Sequence, residues 1–119
     1  MTNQEIFEKV VAHLRQQGGP AMAPSEKVPN LMVCRYRTPD GLKCAIGCLI
    51  HDDDYIAEIE GACATDSVVV GRLPFSVETD DRRGLLVDLQ EVHDHTDPEQ
   101  WETALVGIAL KYQLVYPLP

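Results

Sequence analysis

The sequence has no apolar run near the roughly eighteen residues of a membrane-spanning helix. Its first residues, Met1-Thr2-Asn3-Gln4-Glu5, carry neither the positive region nor the apolar core of a signal peptide, so a cytoplasmic protein is expected. Internal repeats and low-complexity tracts are also missing, which excludes collagen and coiled-coil readings. Basic residues are scarce: 10 Lys+Arg stand against 19 Asp+Glu, for a formal net charge of −9. Phosphate contacts supply most non-specific affinity for DNA, and this charge repels the backbone, so direct duplex DNA binding is not expected. Cysteines are present, but no C-x-x-C pair occurs among Cys34, Cys44, Cys48 and Cys63, and their spacing matches no common zinc finger.

The 119 residues suffice for one domain with its own core. Hydrophobic residues at 45% and charged residues at 24% are the balance of a folded soluble chain. In a reducing cytoplasm the cysteines are expected as core residues, metal ligands or a nucleophile before disulfides. Charge is uneven along the chain. Lys27, Arg35, Arg37 and Lys43 face only Asp40 between residues 27 and 43, whereas residues 52 to 66 carry Asp52, Asp53, Asp54, Glu58, Glu60 and Asp66 and no base. A small basic island therefore sits in an acidic chain. It suits either a pocket for one small anion or a protein whose acidic faces meet a basic partner. Solvated helix faces account for many of the acids equally well.

The periodicity predicts a compact, helix-dominated α+β domain with one small β-hairpin. Thr2 and Glu5 have capping-box spacing, and Ile6, Phe7, Val10, Val11 and Leu14 line one face of a first helix that ends at Gly18-Gly19-Pro20. Residues 19 to 30, with three prolines, read as an extended loop. The Pro39-Asp40-Gly41 turn predicts a hairpin between residues 31–37 and 42–45. From Lys43 the pattern turns helical, with Ile46, Leu49 and Ile50 on one side. Cys44, Cys48 and His51 lie within about 60° of one another on the other side. Such a helix is sandwiched, which marks residues 44 to 51 as the centre of the fold. A short helix is expected around Tyr55 to Glu60, Val68-Val69-Val70 is undecided, and a long helix from about Asp80 to His93 buries Leu85, Leu86, Leu89, Val92 and His93. Asp97-Pro98 opens the last helix, striped by Trp101, Ala104, Leu105, Ile108 and Tyr112.

Three chemistries fit these residues. Arg35, Tyr36, Arg37, Lys43 and His93 form a candidate ligand-binding set, in which Arg forks and an aromatic plate hold a phosphate and a base. The same arginines also serve simply to protect a hairpin edge. Cys34, Cys44, Cys48 and His51 form the alternative, a zinc set; a cysteine-rich core explains them as well. Cys44 beside Lys43 at a helix start is a candidate nucleophile, with His93-Asp94-His95 as base and orienter, although no oxyanion motif accompanies it.

The run Cys34-Arg35-Tyr36-Arg37, then Gly41-Leu42-Lys43-Cys44-Ala45-Ile46-Gly47-Cys48-Leu49-Ile50, then Tyr55, Glu60-Gly61, Leu86, Leu89-Gln90, His93-Asp94 and Trp101 resembles a family of small uncharacterised proteins encoded by bacteriophages and prophages. The resemblance covers most of the chain after residue 30 and transfers no catalytic role. What it implies is a non-enzymatic accessory protein in the host cytoplasm that binds and blocks a host component. That component is a host defence protein, or else a nucleotide-like signal that the protein sequesters. A zinc-stabilised interaction domain and a Cys-His enzyme using Cys44 are the alternatives, and a homodimer is a further expectation.

Overall fold

The computed structural model describes residues 1–119, with a Cα radius of gyration of 13.7 Å. Four helices and a two-stranded antiparallel sheet make an α+β domain. Helix α1 spans Asn3–Gln17, strands β1 and β2 span Met22–Pro24 and Met32–Cys34, α2 spans Ser67–Val70, α3 spans Asp80–His95 and α4 spans Trp101–Lys111. No helix is long and apolar enough to cross a membrane.

Helix α1 begins as its sequence predicts. The Thr2 hydroxyl accepts from the Glu5 amide, the Glu5 carboxylate accepts from the Thr2 amide, and Gly18 closes the helix at φ 71°. Its five predicted apolar residues are all buried. The buried side of α3 is likewise Leu85, Leu86, Leu89, Val92 and His93, and the helix runs one residue pair further, to His95. Asp97 accepts from the Glu99 amide, and Pro98–Gln100 make a 3-10 turn ahead of α4. Trp101, Leu105, Ile108 and Ala109 face the core shared with α3 and α1.

The hairpin forms one segment earlier than predicted. β1, in the stretch expected as an extended loop, pairs with β2 in the register Met22↔Cys34, Ala23↔Val33, Pro24↔Met32. The Pro39-Asp40-Gly41 turn does exist, with Gly41 at φ 92° and Thr38 and Leu42 hydrogen-bonded across it. It supports a single Arg37↔Lys43 bridge and not two strands.

The predicted helix over residues 44 to 51 is also absent. Only Gly47–Leu49 form a 3-10 turn. The Lys43 carbonyl, which the Gly47 amide would meet in a continuing helix, instead accepts from Gln17 of α1, and the Gly47 amide turns to the Cys44 sulfur. Gln17 also accepts from the Lys43 amide and Gln90 of α3 from the Ile46 amide, while a single i to i−4 bond, Cys48 to Cys44, remains. Gly47 then lies against the Tyr36 backbone so closely that a Cβ would stand 2.1 Å from the Tyr36 carbonyl oxygen. The segment is nonetheless the centre of the fold, since Cys44, Ala45, Ile46, Gly47, Leu49 and Ile50 are all buried. The Tyr55–Glu60 helix contracts to a 3-10 turn at Ala57–Ile59, and Val68-Val69-Val70 resolves as part of α2.

The Gly47 contact is with backbone and has no flexible side chain to give way. Gly47→Ala is expected to cost about 3 kcal/mol of stability, against well under 1 for Gly107→Ala, whose Cβ meets nothing within 4 Å. Midpoints of urea unfolding for the two variants check this, and equal midpoints would count against the packing described.

Candidate functional site

The candidate site lies where β2 and the segment after it meet the Asp52–Gly61 stretch and one face of α3. Glu60 organises it. Its carboxylate accepts from the Tyr36 amide at 2.9 Å, the Arg37 amide at 3.2 Å and the Tyr55 hydroxyl at 2.6 Å, while Arg35 Nε stands 3.8 Å away. Burial and the adjacent Glu60 charge push the Tyr55 hydroxyl up to about 12. Arg37 is equally committed. Its guanidinium bonds Asp52 at 2.7 Å and the Ile50 carbonyl at 2.7 Å, and lies over the Tyr55 ring at 5.0 Å. Its Nε is the one buried side-chain polar atom without a hydrogen-bond partner, a cost that the stacking on Tyr55 offsets. Lys43 Nζ reaches the same Asp52 oxygen at 3.6 Å. The Arg37 and Lys43 charges hold the Asp52 carboxyl below its ordinary range.

These contacts redefine the basic island. Arg35, Arg37 and Lys43 are brought together, but each is paired with an acid of the 52–60 segment. Tyr36 is buried, and its hydroxyl donates to the Ala62 carbonyl at 2.6 Å, so it presents no open aromatic plate. His93 is buried at 2% exposure and belongs to a different cluster. The sequence set therefore does not assemble as a pocket. A cleft of about 370 Å³ runs past Lys27, Cys34 and Arg35, but Glu26 and Glu60 line it too, and no aromatic side chain does.

A second cluster joins β2 to α3, and spacing along the chain did not reveal it. Ligand atoms of Cys34, His93 and Asp94 lie within 4.8 Å of one another, and Cys44, Cys48 and His51 complete no such group. A smaller cavity of about 180 Å³ touches Cys34, Gln90 and Asp94. Cys34, His93 and Asp94 are a donor set that zinc accepts. The hydrogen bonds already made there oppose it. The Ala21 amide donates to His93 Nε2 at 2.8 Å, so that nitrogen carries no proton. The proton is then on Nδ1, which donates to Asp94 Oδ1 at 2.6 Å. A metal on Nδ1 would have to displace that proton and leave Nε2 still unprotonated beside an amide, which is an imidazolate. Asp94 also accepts from Gln90 at 3.2 Å, and burial, helped by the Asp94 charge, pushes the Cys34 thiol up to about 11. The pattern is that of a hydrogen-bonded latch between hairpin and helix. The adjacent His93-Asp94 pair was legible in the sequence; Cys34 as its neighbour was not, because β2, within the predicted first strand, pairs with residues 22–24 of the expected loop and not with residues 42–45.

The remaining thiols are placed for packing. Cys44 is fully buried, its sulfur accepts from the Gly47 amide at 3.2 Å, and burial pushes it up to about 12. Cys48 donates to the Ala45 carbonyl at 3.0 Å and is pushed up to about 12 by burial as well. Neither carries thiolate near neutral pH, the form a nucleophile or metal ligand needs. His51 is exposed on the other side of that turn.

Two outcomes follow. Iodoacetamide at neutral pH should label exposed Cys63 in the folded protein and reach Cys44 and Cys48 only after denaturation; labelling of native Cys44, read by mass spectrometry, would restore the nucleophile. Glu60→Gln should lower stability by about 2 kcal/mol, because the amide places N–H groups against the donors that the carboxylate now accepts. A melting temperature equal to wild type would contradict the role given to Glu60.

No protein-family model matches the chain, and neither a curated protein nor a solved structure matches it.

Proposed function

We propose that this chain is a non-enzymatic accessory protein of phage type that binds and blocks a basic host protein, a component of host defence, in the host cytoplasm. The observation that carries the reading is the direction of the charges. Arg35, Arg37 and Lys43 are consumed by Asp52 and Glu60, whereas exposed Asp53, Asp54 and Glu58 have no cation within salt-bridge distance. Exposed Lys9 and Lys27 are unpaired as well, but with a net charge of −9 the balance of the free charge offered to a partner is carboxylate. Exposed carboxylates are well hydrated and steer a basic protein in over long range, with an on-rate that falls as salt rises.

The other reading, sequestration of a nucleotide-like ligand, has less support. It needs an aromatic plate and unpaired cations, and Tyr36 and the arginines supply neither without rearrangement. Neither a zinc-stabilised domain nor an enzyme built on Cys44 gains from the His93 hydrogen bonds or from the burial of Cys44.

The test uses the immobilised protein and a host lysate at low and moderate salt, with mass spectrometry of retained proteins. A basic protein retained at low salt, and lost with the combined Asp53→Asn, Asp54→Asn, Glu58→Gln variant, is the expected result. A rise in melting temperature with one member of a nucleotide panel, abolished by Arg35→Ala, would overturn the reading in favour of the ligand site. Zinc retained in stoichiometric amount by untagged protein and lost in Cys34→Ser would instead favour the metal-stabilised domain.

A further inference from the structure

Arg35 is withdrawn from solvent and its guanidinium makes no hydrogen bond. The contrast with its neighbours is direct: Arg37, 16% exposed, bonds Asp52 and the Ile50 carbonyl, and Arg15, 22% exposed, bonds Glu102 and the Pro117 carbonyl. Arg35 is as buried, at 18%, yet its nearest carboxylate oxygen, on Glu60, stands 3.8 Å from Nε. That carboxylate already accepts from the Tyr36 amide, the Arg37 amide and the Tyr55 hydroxyl. Glu60 therefore balances the charge of Arg35 without bonding it. A planar fork of five N–H groups is left unanswered, where polar groups so far from solvent are ordinarily hydrogen-bonded. The fork lines the cleft of about 370 Å³ that β2, the hairpin loop and residues 57–61 enclose.

We infer that this cleft binds a small organic monocarboxylate, whose two oxygens take the Arg35 fork while its apolar body lies along Pro24, Val33 and Ala57. The guanidinium fork matches a planar carboxylate in a bidentate, charge-assisted pair. Two further donors line the same cleft. Lys27 is exposed and unpaired, and the Ser25 hydroxyl, whose oxygen accepts from the amides of Lys27 and Val28, keeps its own O–H free to donate. An apolar wall with a few convergent donors is the make-up of a small-molecule site. Charge sets the class of ligand. Lys27 and Arg35 are matched in number by Glu26 and Glu60, so the cleft as a whole is neutral and its attraction is local to the fork. A phosphate dianion would meet Glu60 with twice the repulsion that a carboxylate meets, and it would gain nothing from the apolar wall. The site uses none of Asp53, Asp54 and Glu58, so it stands apart from the surface proposed to meet a basic protein.

The test is a titration of the whole isotope-labelled chain with sodium butyrate near neutral pH and at constant ionic strength, read by nuclear magnetic resonance. Saturable shifts of the Arg35 Nε–H and of amides in residues 24–35 and 57–61 are expected. Butyramide, of the same shape but uncharged, should produce none, because its NH2 group would face the N–H donors of the fork. Arg35→Met should raise the dissociation constant for butyrate about tenfold or more. Lys27→Glu, at an exposed position that the fold does not use, should raise it about threefold or more, and this variant decides the matter where Arg35→Met disturbs the fold. Inorganic phosphate at the same ionic strength should bind more weakly than butyrate. Butyrate shifts that never saturate, that butyramide reproduces, or that ignore Lys27→Glu overturn the inference. Phosphate binding tighter than butyrate overturns the assignment to a carboxylate.

Discussion

The constraint on which this structure depends is the satisfaction of backbone polar groups in a buried stretch with almost no regular secondary structure. Between Arg35 and Asp66 the chain crosses the core in turns and single bridges, and an unpaired buried amide there would cost as much as a lost hydrogen bond. Side chains supply the partners. Gln17 from α1 and Gln90 from α3 hold the 43–46 backbone, Glu60 takes the amides of Tyr36 and Arg37, and the Cys44 sulfur takes that of Gly47. The two long helices thus act as a frame to which an irregular core segment is tied by name. The approach of Gly47 to the Tyr36 carbonyl follows from that tying.

The same economy shapes the surface. The acids that anchor the middle segment, Asp52 and Glu60, are the ones that absorb Arg35, Arg37 and Lys43, so structural demand leaves Lys27 as the one unpaired base of the basic island. What the protein presents is the remainder, an excess of carboxylate. The Cys34-Asp94-His93 cluster shows a related use of polar groups: both ring nitrogens of His93 are engaged, one by the hairpin and one by its own helix, and the ring also stacks on Trp101 at 6.1 Å. A histidine so bound is a structural joint between β1, α3 and α4.

Helices with a single apolar stripe and explicit caps were legible residue by residue. Thr2 and Glu5 start α1, Leu85 to His93 line α3, and Asp97-Pro98 precede α4, because capping and 3.6-residue periodicity are local rules that tertiary context did not override here. The middle of the chain was misread where those rules were in competition. Residues 44 to 51 have helical spacing, but Gln17 of α1 takes the Lys43 carbonyl and the Gly47 amide turns to the Cys44 sulfur, so that only the Cys48 to Cys44 bond of the i to i−4 kind forms. Residues 22 to 24 carry no strand signal of their own, and they pair because Ala21 is fixed to His93 and so brought alongside Arg35, whose amide donates to the Ala21 carbonyl at 2.9 Å.

By itself the sequence determined the α+β class, the three long helices with their buried faces, the central place of residues 44 to 51 and the sign of the overall charge. All of these follow from local periodicity and composition. Only the tertiary structure decided that Arg35, Arg37 and Lys43 end on acids, that Tyr36 is buried, and that Cys34 joins His93 and Asp94 while Cys44 and Cys48 pack into the core. Each of these depends on which residues distant in the chain become neighbours, and spacing along the chain carries no record of that.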